Sequence, residues 1–218
     1  MAYGTWHMGG SWDATPLSAD LKTRANHLIK TAVELGINHI DLADIYTKGK
    51  SDEAVGYALA QNPGLRDKLV LQAKCGIILG DDPNPGDPGR YDFSYDNIVS
   101  KVEGTLRRLG TDYVDLLALH RPDPLMEPDE VARAFDHLHS SGKVRHFGVS
   151  NHTAAQIEFL RRSVDQPIVL NQVELNLLHH HLISDGIVAN MTESAYSPVL
   201  GTLDYCRIQF PDLSVIKI

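Results

Sequence analysis

Short apolar segments alternate strictly with longer segments of helical periodicity along most of this 218-residue chain. In the helical segments, apolar residues recur at the three- and four-residue spacing of one helix face. This alternation is typical of a parallel sheet whose strands are joined by helical crossovers, so it predicts an α/β fold. The six strand-like segments are MAYGTW, NHIDLAD, KLVLQAKC, YVDLLALH, VRHFGVSN and IVLNQVE.

Local signals indicate where the helices begin and end. Gly36 suits the end of the first helix, because glycine adopts the left-handed conformation that often follows a helix. The second helix is predicted to begin at Ser51, with the carboxylate of Glu53 in its first turn. Residues 76–94 are long, polar and rich in Gly, Pro and Asp, which is compatible with a plain surface loop or with a flap over a substrate.

Composition narrows the class of protein. With 43% hydrophobic and 22% charged residues, the chain is expected to form a single domain over residues 1–218. A formal net charge of -8 argues against a nucleic-acid partner. The sequence has neither the apolar stretch of a membrane span nor the features of a signal peptide, so we expect a cytoplasmic protein. Cys75 and Cys206 fit no metal spacing and are expected to be packed, reduced thiols.

Polar side chains stand at the ends of most of the predicted strands. In a parallel barrel all carboxyl ends of the strands open on one face, so residues distant in sequence meet there. An open sheet that binds a dinucleotide normally has a glycine-rich turn after its first strand, and GTWHMGG does not match it. A (β/α)8 TIM-type barrel is therefore favoured. The strand-end residues are Asp41, Lys74, His120, Ser150, Asn151 and Gln172.

Four residues, Asp41, Tyr46, Lys74 and His120, carry the groups needed to reduce a carbonyl. A free phenol has a pKa of about 10, and a neighbouring ammonium favours the phenolate and so makes the phenol a better acid. Asp41 would hold Lys74 in place, and Lys74 would lower the pKa of Tyr46. A neutral His120 would donate a hydrogen bond to the carbonyl oxygen. No side chain supplies a hydride, so a bound nicotinamide is expected.

The segments HIDLADIY, LQAKC, LALHRPDP, HFGVSN and LNQVE resemble, in this order, signature segments of the aldo-keto reductases. The resemblance covers about residues 1–176 and is greatest to the bacterial oxidoreductase branch that also resembles potassium-channel beta subunits. It implies an NADP(H)-dependent reductase of small aldehydes or ketones with Tyr46 as proton donor. The implied catalytic residues are Asp41, Tyr46, Lys74 and His120, and the implied cofactor contacts are Gly4, Thr5, Trp6, Asp41, Ser150, Asn151 and Gln172. The alternative is a catalytically weak or inactive nucleotide-binding regulatory protein of the same fold.

The segment after Gln172 departs from the family pattern. One interpretation takes Tyr196 as the aromatic residue that stacks on the nicotinamide, although ANMTE before it is a poor strand. The other, which we prefer, takes GTLDYCR as the sixth helix and LSVIKI as the seventh strand. In both, the eighth strand is missing, so the barrel is predicted to be incomplete at its C-terminal end.

Several further residues are assigned structural roles. Asp44 is compatible with a contact to the active site and equally with capping or bracing the turn that follows it, so it is left out of the catalytic set. Arg121 and Asp123 are expected to pair locally, the alternative being that they bind substrate, and His39 is expected to pack in the interior. The histidines at 179–181 lack further ligands at a suitable spacing, so no metal site is predicted.

Overall fold

The computed structural model describes residues 1–184 and 201–209, together with the backbone of residues 216 and 217. Strands and helices alternate through most of this length, as the sequence predicts. The strands are β1 (Ala2–Gly4), β2 (His39–Asp41), β3 (Val70–Cys75), β4 (Ile77–Ile78), β5 (Arg90–Tyr91), β6 (Val114–Leu119), β7 (Val144–Ser150), β8 (Ile168–Glu174) and β9 (Ile216–Lys217). The α-helices are α1 (Ala19–Glu34), α2 (Lys50–Gln61), α3 (Tyr95–Leu109), α4 (Pro128–Ser140), α5 (Ala154–Leu160), α6 (His181–Ser184) and α7 (Thr202–Gln209).

Seven strands form one sheet in the order β1, β2, β3, β6, β7, β8, β9, and each neighbouring pair is parallel. The register places Gly4 beside Asp41 and Lys74 beside Ala118, so the carboxyl ends of the strands lie along one edge. A closed barrel of this type has eight strands. The described strands therefore form an incomplete (β/α)8 barrel, which confirms the predicted fold class.

The helices cover the outer face of the sheet with their apolar sides. In α3, Ile98, Val102 and Leu109 are buried, as expected for residues on one helical face. Gly56 lets α2 approach α3 closely, because a Cβ atom at this position would lie 2.2 Å from the carbonyl oxygen of Arg108. The core thus depends on small side chains at the helix contact as well as on apolar area.

A charged cluster closes the amino end of the sheet, opposite the polar strand ends. The guanidinium carbons of Arg66 and Arg145 each lie 3.9 Å from the ring centroid of Tyr113. The Asp115 carboxylate accepts hydrogen bonds from Arg66 at 2.8 Å and from Arg145 at 3.0 Å. It also accepts the backbone N–H of Leu71 at 2.9 Å, so it joins β6 to β3. This cluster stabilises the barrel at the end remote from the predicted site.

The two predicted helix boundaries have different outcomes. Gly36 follows α1 with φ 79°, which confirms the predicted stop. The predicted start of the second helix at Ser51 is wrong, because α2 begins at Lys50 after a 3-10 turn over Tyr46–Gly49. Ser51 is buried in the first turn, where its hydroxyl donates a 2.8 Å hydrogen bond to the carbonyl oxygen of Thr5. The Ser51 side chain thus forms a hydrogen bond at the end of β1 and does not cap the helix.

The C-terminal segment follows the preferred interpretation of the sequence. Helix α7 covers most of GTLDYCR, and β9 lies within LSVIKI and pairs in parallel with β8. Tyr196 lies outside the described residues. In residues 1–184 and 201–209, no helix has the length and apolar character needed to cross a bilayer.

The long segment after β3 is partly ordered by its own strand pair. β4 and β5 pair antiparallel, with Ile77 beside Tyr91 and Ile78 beside Arg90. The Asp92 N–H donates a 2.9 Å hydrogen bond to the carbonyl oxygen of Gly76. The segment is therefore a hairpin excursion between β3 and α3.

Candidate active site

The carboxyl ends of the parallel strands border a cavity of about 280 Å³. Most of the polar residues that the sequence singles out lie on its wall. They converge there because parallel strands in register carry their end residues to one edge. The lining residues are Trp6, Tyr46, Lys74, His120, Arg121, Ser150, Asn151, Gln172, Val173, Glu174, Leu175 and Asn176.

Asp41 and Lys74 form a buried ion pair beside this cavity. Their side chains are 4% and 2% exposed, respectively. The Lys74 ammonium donates to a carboxylate oxygen of Asp41 and donates a further 2.7 Å hydrogen bond to the carbonyl oxygen of Leu42. Because each charge offsets the other, both groups can stay ionised away from water. The predicted contact between Asp41 and Lys74 is thus present.

The Tyr46 ring contacts the other predicted members of the site. Its centroid lies 4.9 Å from the Nζ atom of Lys74 and 5.7 Å from the ring centroid of His120. The centroid of the Trp6 ring lies 5.1 Å from that of the Tyr46 ring. Tyr46 is 1% exposed, and the 3-10 turn that begins at this residue fixes its position. The structure therefore brings the ammonium, the phenol and the imidazole together.

The pKa of Tyr46 differs from the sequence-based expectation. Burial raises the pKa of the phenol well above its usual value, the Asp41 carboxylate adds to the rise, and Arg121 opposes it. The expectation of a phenol that is acidified in the resting site is therefore not met, and the separate effect of Lys74 on the pKa of Tyr46 stays a prediction. Loss of hydration penalises the phenolate, and the Lys74 ammonium is already offset by its carboxylate partner. Tyr46 consequently keeps its proton at neutral pH.

His120 is held at the end of β6 by the backbone. Its N–H donates a 2.9 Å hydrogen bond to the carbonyl oxygen of Cys75 at the end of β3. Its ring is inclined by 76° to the ring of Tyr46, in an edge-on arrangement. His120 is 7% exposed and lines the cavity, so a ring N–H can donate to a molecule bound there.

A network of amides lies beneath the ion pair. Gln172 donates a 3.1 Å hydrogen bond to the second carboxylate oxygen of Asp41. Gln72 donates to the side-chain oxygen of Gln172 at 2.6 Å and to Asp41 at 3.3 Å. Gln72 was not predicted from the sequence, although it precedes Lys74 by two residues and therefore shares its face of β3. The side chain of Gln172 is thus engaged with Asp41 as well as lining the cavity.

His39 belongs to the same polar layer. Its Nε2 atom lies 2.9 Å from the Oε1 atom of Gln72, and burial lowers the pKa of the imidazole. His39 is thus partly buried, as expected, and it also has a hydrogen-bond partner that the sequence analysis did not predict. A hydrogen-bonded polar layer, in place of apolar side chains, continues from the cavity into the barrel.

Ser150 and Asn151 line the cavity at the end of β7. The Ser150 hydroxyl donates a 3.0 Å hydrogen bond to the carbonyl oxygen of Gln172. Asn151 has φ 57°, a left-handed conformation that asparagine adopts more readily than most residues. Its side-chain oxygen accepts the N–H of Glu174 at 2.9 Å. This strained turn places a hydroxyl and an amide side by side on the cavity wall.

The three predicted residues of β1 and its end have different surroundings. Gly4 pairs with Asp41 in the sheet, and Thr5 is fully buried with its hydroxyl donating to the carbonyl oxygen of Asp41 at 2.9 Å. Neither lines the cavity, whereas Trp6 does, and its ring lies 5.3 Å from that of Trp12 at an inclination of 54°. Among the three, Trp6 is the residue positioned to contact a bound molecule.

Arg121 lies on the cavity wall beside His120. The predicted pair between Arg121 and Asp123 is not formed, because the Asp123 carboxylate accepts the backbone N–H of Leu125 at 2.9 Å. The aspartate thus stabilises its own turn. Residue types alone do not distinguish the two pairings, since both suit residues two positions apart.

Asp44 lies away from this cavity and lines a second one of about 300 Å³ with Lys101 and Arg108. Burial raises the pKa of the Asp44 carboxyl to about 7, and the charge of Lys101 opposes the rise. The Asp44 N–H donates a 3.1 Å hydrogen bond to the carbonyl oxygen of Lys74. The residue therefore braces the turn before Tyr46, which is the structural one of its two predicted roles.

The consecutive histidines at 179–181 are exposed at the start of α6. In the described part of the chain, no group of three or more His, Cys, Asp or Glu side chains is arranged to hold a metal ion. The absence of a metal site over the whole chain stays a prediction.

Comparison with known proteins identifies the relationship. Residues 1–203 match the Aldo/keto reductase family. The chain belongs to this family. The resemblance stated from the strand-end motifs is therefore confirmed.

Two curated relatives show what share of a relative's length this chain covers. It is 42% identical over 172 residues to "Oxidoreductase YdhF" of Escherichia coli strain K12, covering 78% of this chain and 57% of the relative. It is 36% identical over 200 residues to "6-dehydroglucose reductase" of Agrobacterium fabrum, covering 91% of this chain and 65% of the relative. The chain therefore spans about three fifths of the length of these aldo-keto reductases.

Solved structures give the same assignment of the fold. The thermostable aldo-keto reductase Tm1743, solved with the inhibitor epalrestat, matches with a TM-score of 0.72 and 26% identity, over 98% of this chain and 66% of that one. The glycerol dehydrogenase AKR11B4 from Gluconobacter oxydans matches with a TM-score of 0.72 and 31% identity, over 95% and 56%. The incomplete barrel is thus an aldo-keto reductase barrel.

Proposed function

We propose that this aldo-keto reductase reduces aldehydes or ketones to alcohols, with NADP(H) as the cofactor and Tyr46 as the proton donor. The observation that carries the proposal is the contact of the Tyr46 ring with both Lys74 and His120 at one cavity. A phenol, an ammonium and an imidazole at one strand-end edge can bind a carbonyl oxygen and protonate it.

The cavity wall has groups that suit a nicotinamide. Ser150 and Asn151 present a hydroxyl and an amide, which can donate to and accept from a carboxamide. Trp6 and Tyr46 add aromatic surface to the wall of the same cavity. When bound there, the nicotinamide would supply the hydride that no side chain can provide. The preference for NADP(H) over NAD(H) rests on the family resemblance.

The raised pKa of Tyr46 suits a proton donor. The phenol stays protonated at neutral pH and releases its proton only to a base much stronger than water, such as the alkoxide formed from a carbonyl. The nearby Lys74 ammonium then stabilises the phenolate that remains. His120 donates a hydrogen bond to the carbonyl oxygen, which orients it toward the phenol and polarises it. Asp41 keeps the ammonium in position.

Absorbance at the NADPH band, followed in the presence of a short aldehyde, tests this proposal. Aldehyde-dependent oxidation of NADPH is expected. Binding of NADPH is followed separately by quenching of the two tryptophans, because Trp6 lines the cavity and Trp12 contacts the Trp6 ring. Binding without oxidation of NADPH by any aldehyde would support the nucleotide-binding regulatory alternative, and the absence of both would contradict the two assignments.

A further inference from the structure

Arg121 is the residue of the cavity wall that the proposed chemistry leaves unused. It follows His120 directly at the end of β6, and its exposed side chain lines the same cavity as Tyr46. Its positive charge acts on the Tyr46 phenol and opposes the effect of burial on the phenol pKa. The guanidinium is therefore within electrostatic reach of the atoms proposed to react.

Arg121 has no hydrogen-bond or ion-pair partner among residues 1–184 and 201–209. Other arginines near the ends of the strands are bound to carboxylates, as Arg66 and Arg145 are to Asp115. Asp123, the nearest acidic residue in sequence, is engaged by the backbone of Leu125. This guanidinium thus lies on the cavity wall, and none of the carboxylates among the described residues binds it.

The other charges at the cavity are already engaged. Lys74 is offset by Asp41. The Glu174 carboxylate accepts a 3.2 Å hydrogen bond from Asn176 and lies 3.7 Å from the Nε2 atom of His179. Within the part of the chain that the structure describes, Arg121 is consequently the cation of this wall that has donors left for a ligand.

We infer that Arg121 determines substrate class by binding two neighbouring oxygen atoms on the substrate, next to the carbonyl that is reduced. A guanidinium presents parallel N–H groups in a planar fork, which matches a carboxylate or a pair of adjacent hydroxyls. The substrate is then an aldehyde or ketone that carries such oxygen atoms, and plain alkyl or aryl carbonyls are poor substrates. This inference rests on the proposed function, because it assigns a role at the same cavity.

The test compares three small aldehydes that differ beside the carbonyl: propanal, glyceraldehyde with two hydroxyls, and glyoxylate with a carboxylate. Arg121→Met keeps much of the length and removes the donors. A hydrogen bond to a charged group contributes about 1.5–3 kcal/mol. For glyceraldehyde or glyoxylate, the ratio of kcat/KM to that for propanal is therefore expected to fall by about 10- to 100-fold in Arg121→Met.

Two further variants separate recognition from general effects. Arg121→Lys keeps the charge without the fork and is expected to recover only part of the ratio. Arg24→Met removes an exposed arginine on α1, far in sequence from the cavity residues, and is expected to leave the ratio unchanged. A fall with glyceraldehyde alone identifies paired hydroxyls, and a fall with glyoxylate alone identifies a carboxylate. An equal loss with all three aldehydes, or no loss, would overturn the inference.

A binding measurement distinguishes failure of this inference from failure of the proposed function. Glycerate carries both a carboxylate and adjacent hydroxyls, and its binding is followed by quenching of Trp6 and Trp12 fluorescence, with 1-propanol as the control ligand. Glycerate is expected to quench, and Arg121→Met is expected to weaken its binding at least about 10-fold. Reduction of propanal without binding of glycerate would contradict the role of Arg121 and leave the proposed function supported. Glycerate binding without reduction of any aldehyde would contradict the proposed function and leave the oxygen-binding role of Arg121 supported.

Discussion

The ammonium of Lys74 lies 4.9 Å from the ring centroid of Tyr46 while it is bound by the carboxylate of Asp41. The carboxylate fixes the ammonium and offsets its charge, so the phenol is not acidified in the resting site. When the phenol loses its proton, the same ammonium lies close enough to help stabilise the phenolate, as does the charge of Arg121. The position of the ion pair therefore favours a phenol that keeps its proton until a base removes it, over a phenol that is already ionised.

Replacing Tyr46 with phenylalanine removes the proposed proton donor and keeps the buried ring. We expect kcat for aldehyde reduction to fall by at least about 100-fold, the lower range for loss of general acid catalysis. NADPH affinity, measured by tryptophan quenching, is expected to change little. A parallel loss of NADPH affinity and turnover would instead assign the residue to cofactor binding or to the fold.

Replacing Lys74 with methionine leaves the Asp41 carboxylate buried without its ammonium. Breaking a buried ion pair in this way typically lowers the free energy of unfolding by about 3–5 kcal/mol. The double variant Asp41→Asn, Lys74→Met removes both charges and is expected to recover most of this loss in urea unfolding, but not the turnover. If the double variant is as unstable as the single one, the pair is not the source of the cost.

The stability of the protein is expected to depend on pH through Asp44. Burial raises the pKa of its carboxyl from 3.8 to about 7, so the folded protein holds a proton that the unfolded chain releases between these values. Stability due to this group is present below pH 4, falls as pH rises toward 7, and is constant above that. Asp44→Asn is therefore expected to be more stable than the original protein at pH 7.5.

Urea unfolding of both proteins at pH 4.5, 6 and 7.5 measures this difference. The advantage of Asp44→Asn should grow with pH by up to about 1.4 kcal/mol per pH unit inside the window. Lys101, Asp52 and Arg108 also act on the Asp44 carboxyl, and they are unchanged in both proteins. A difference that does not vary with pH would show that the carboxyl titrates at its ordinary pKa.

Asp115 is expected to matter for stability alone. It binds Arg66 and Arg145 at the amino end of β6, whereas His120 follows the other end of this strand. Asp115→Ala leaves two guanidinium groups and the N–H of Leu71 without their acceptor, and should lower the free energy of unfolding by about 3 kcal/mol. At a temperature where the variant is folded, KM for the aldehyde should stay within about twofold. A large change in KM would indicate coupling between the two ends of the barrel.

The sequence alone determined the fold class and the position of the proposed tetrad in the chain. Strand and helix periodicities are local properties, and residues such as Lys74 and His120 directly follow apolar strand segments. In a parallel sheet, standing at the carboxyl end of a strand is enough to bring such residues to one edge. The alternation therefore predicted their convergence without knowledge of any distance.

Only the tertiary structure decided how the polar groups share their partners. Gln72 joins Asp41 to Gln172, although 100 positions separate the two glutamines. Asp123 accepts a backbone N–H in its own turn, and Arg121 lies on the cavity wall without a partner among the described residues. The pKa of Tyr46 rises because burial, with the charge of Asp41, outweighs the opposing charge of Arg121. Partner choice and hydration depend on all groups that meet in space, and a linear pattern of residue types does not contain that information.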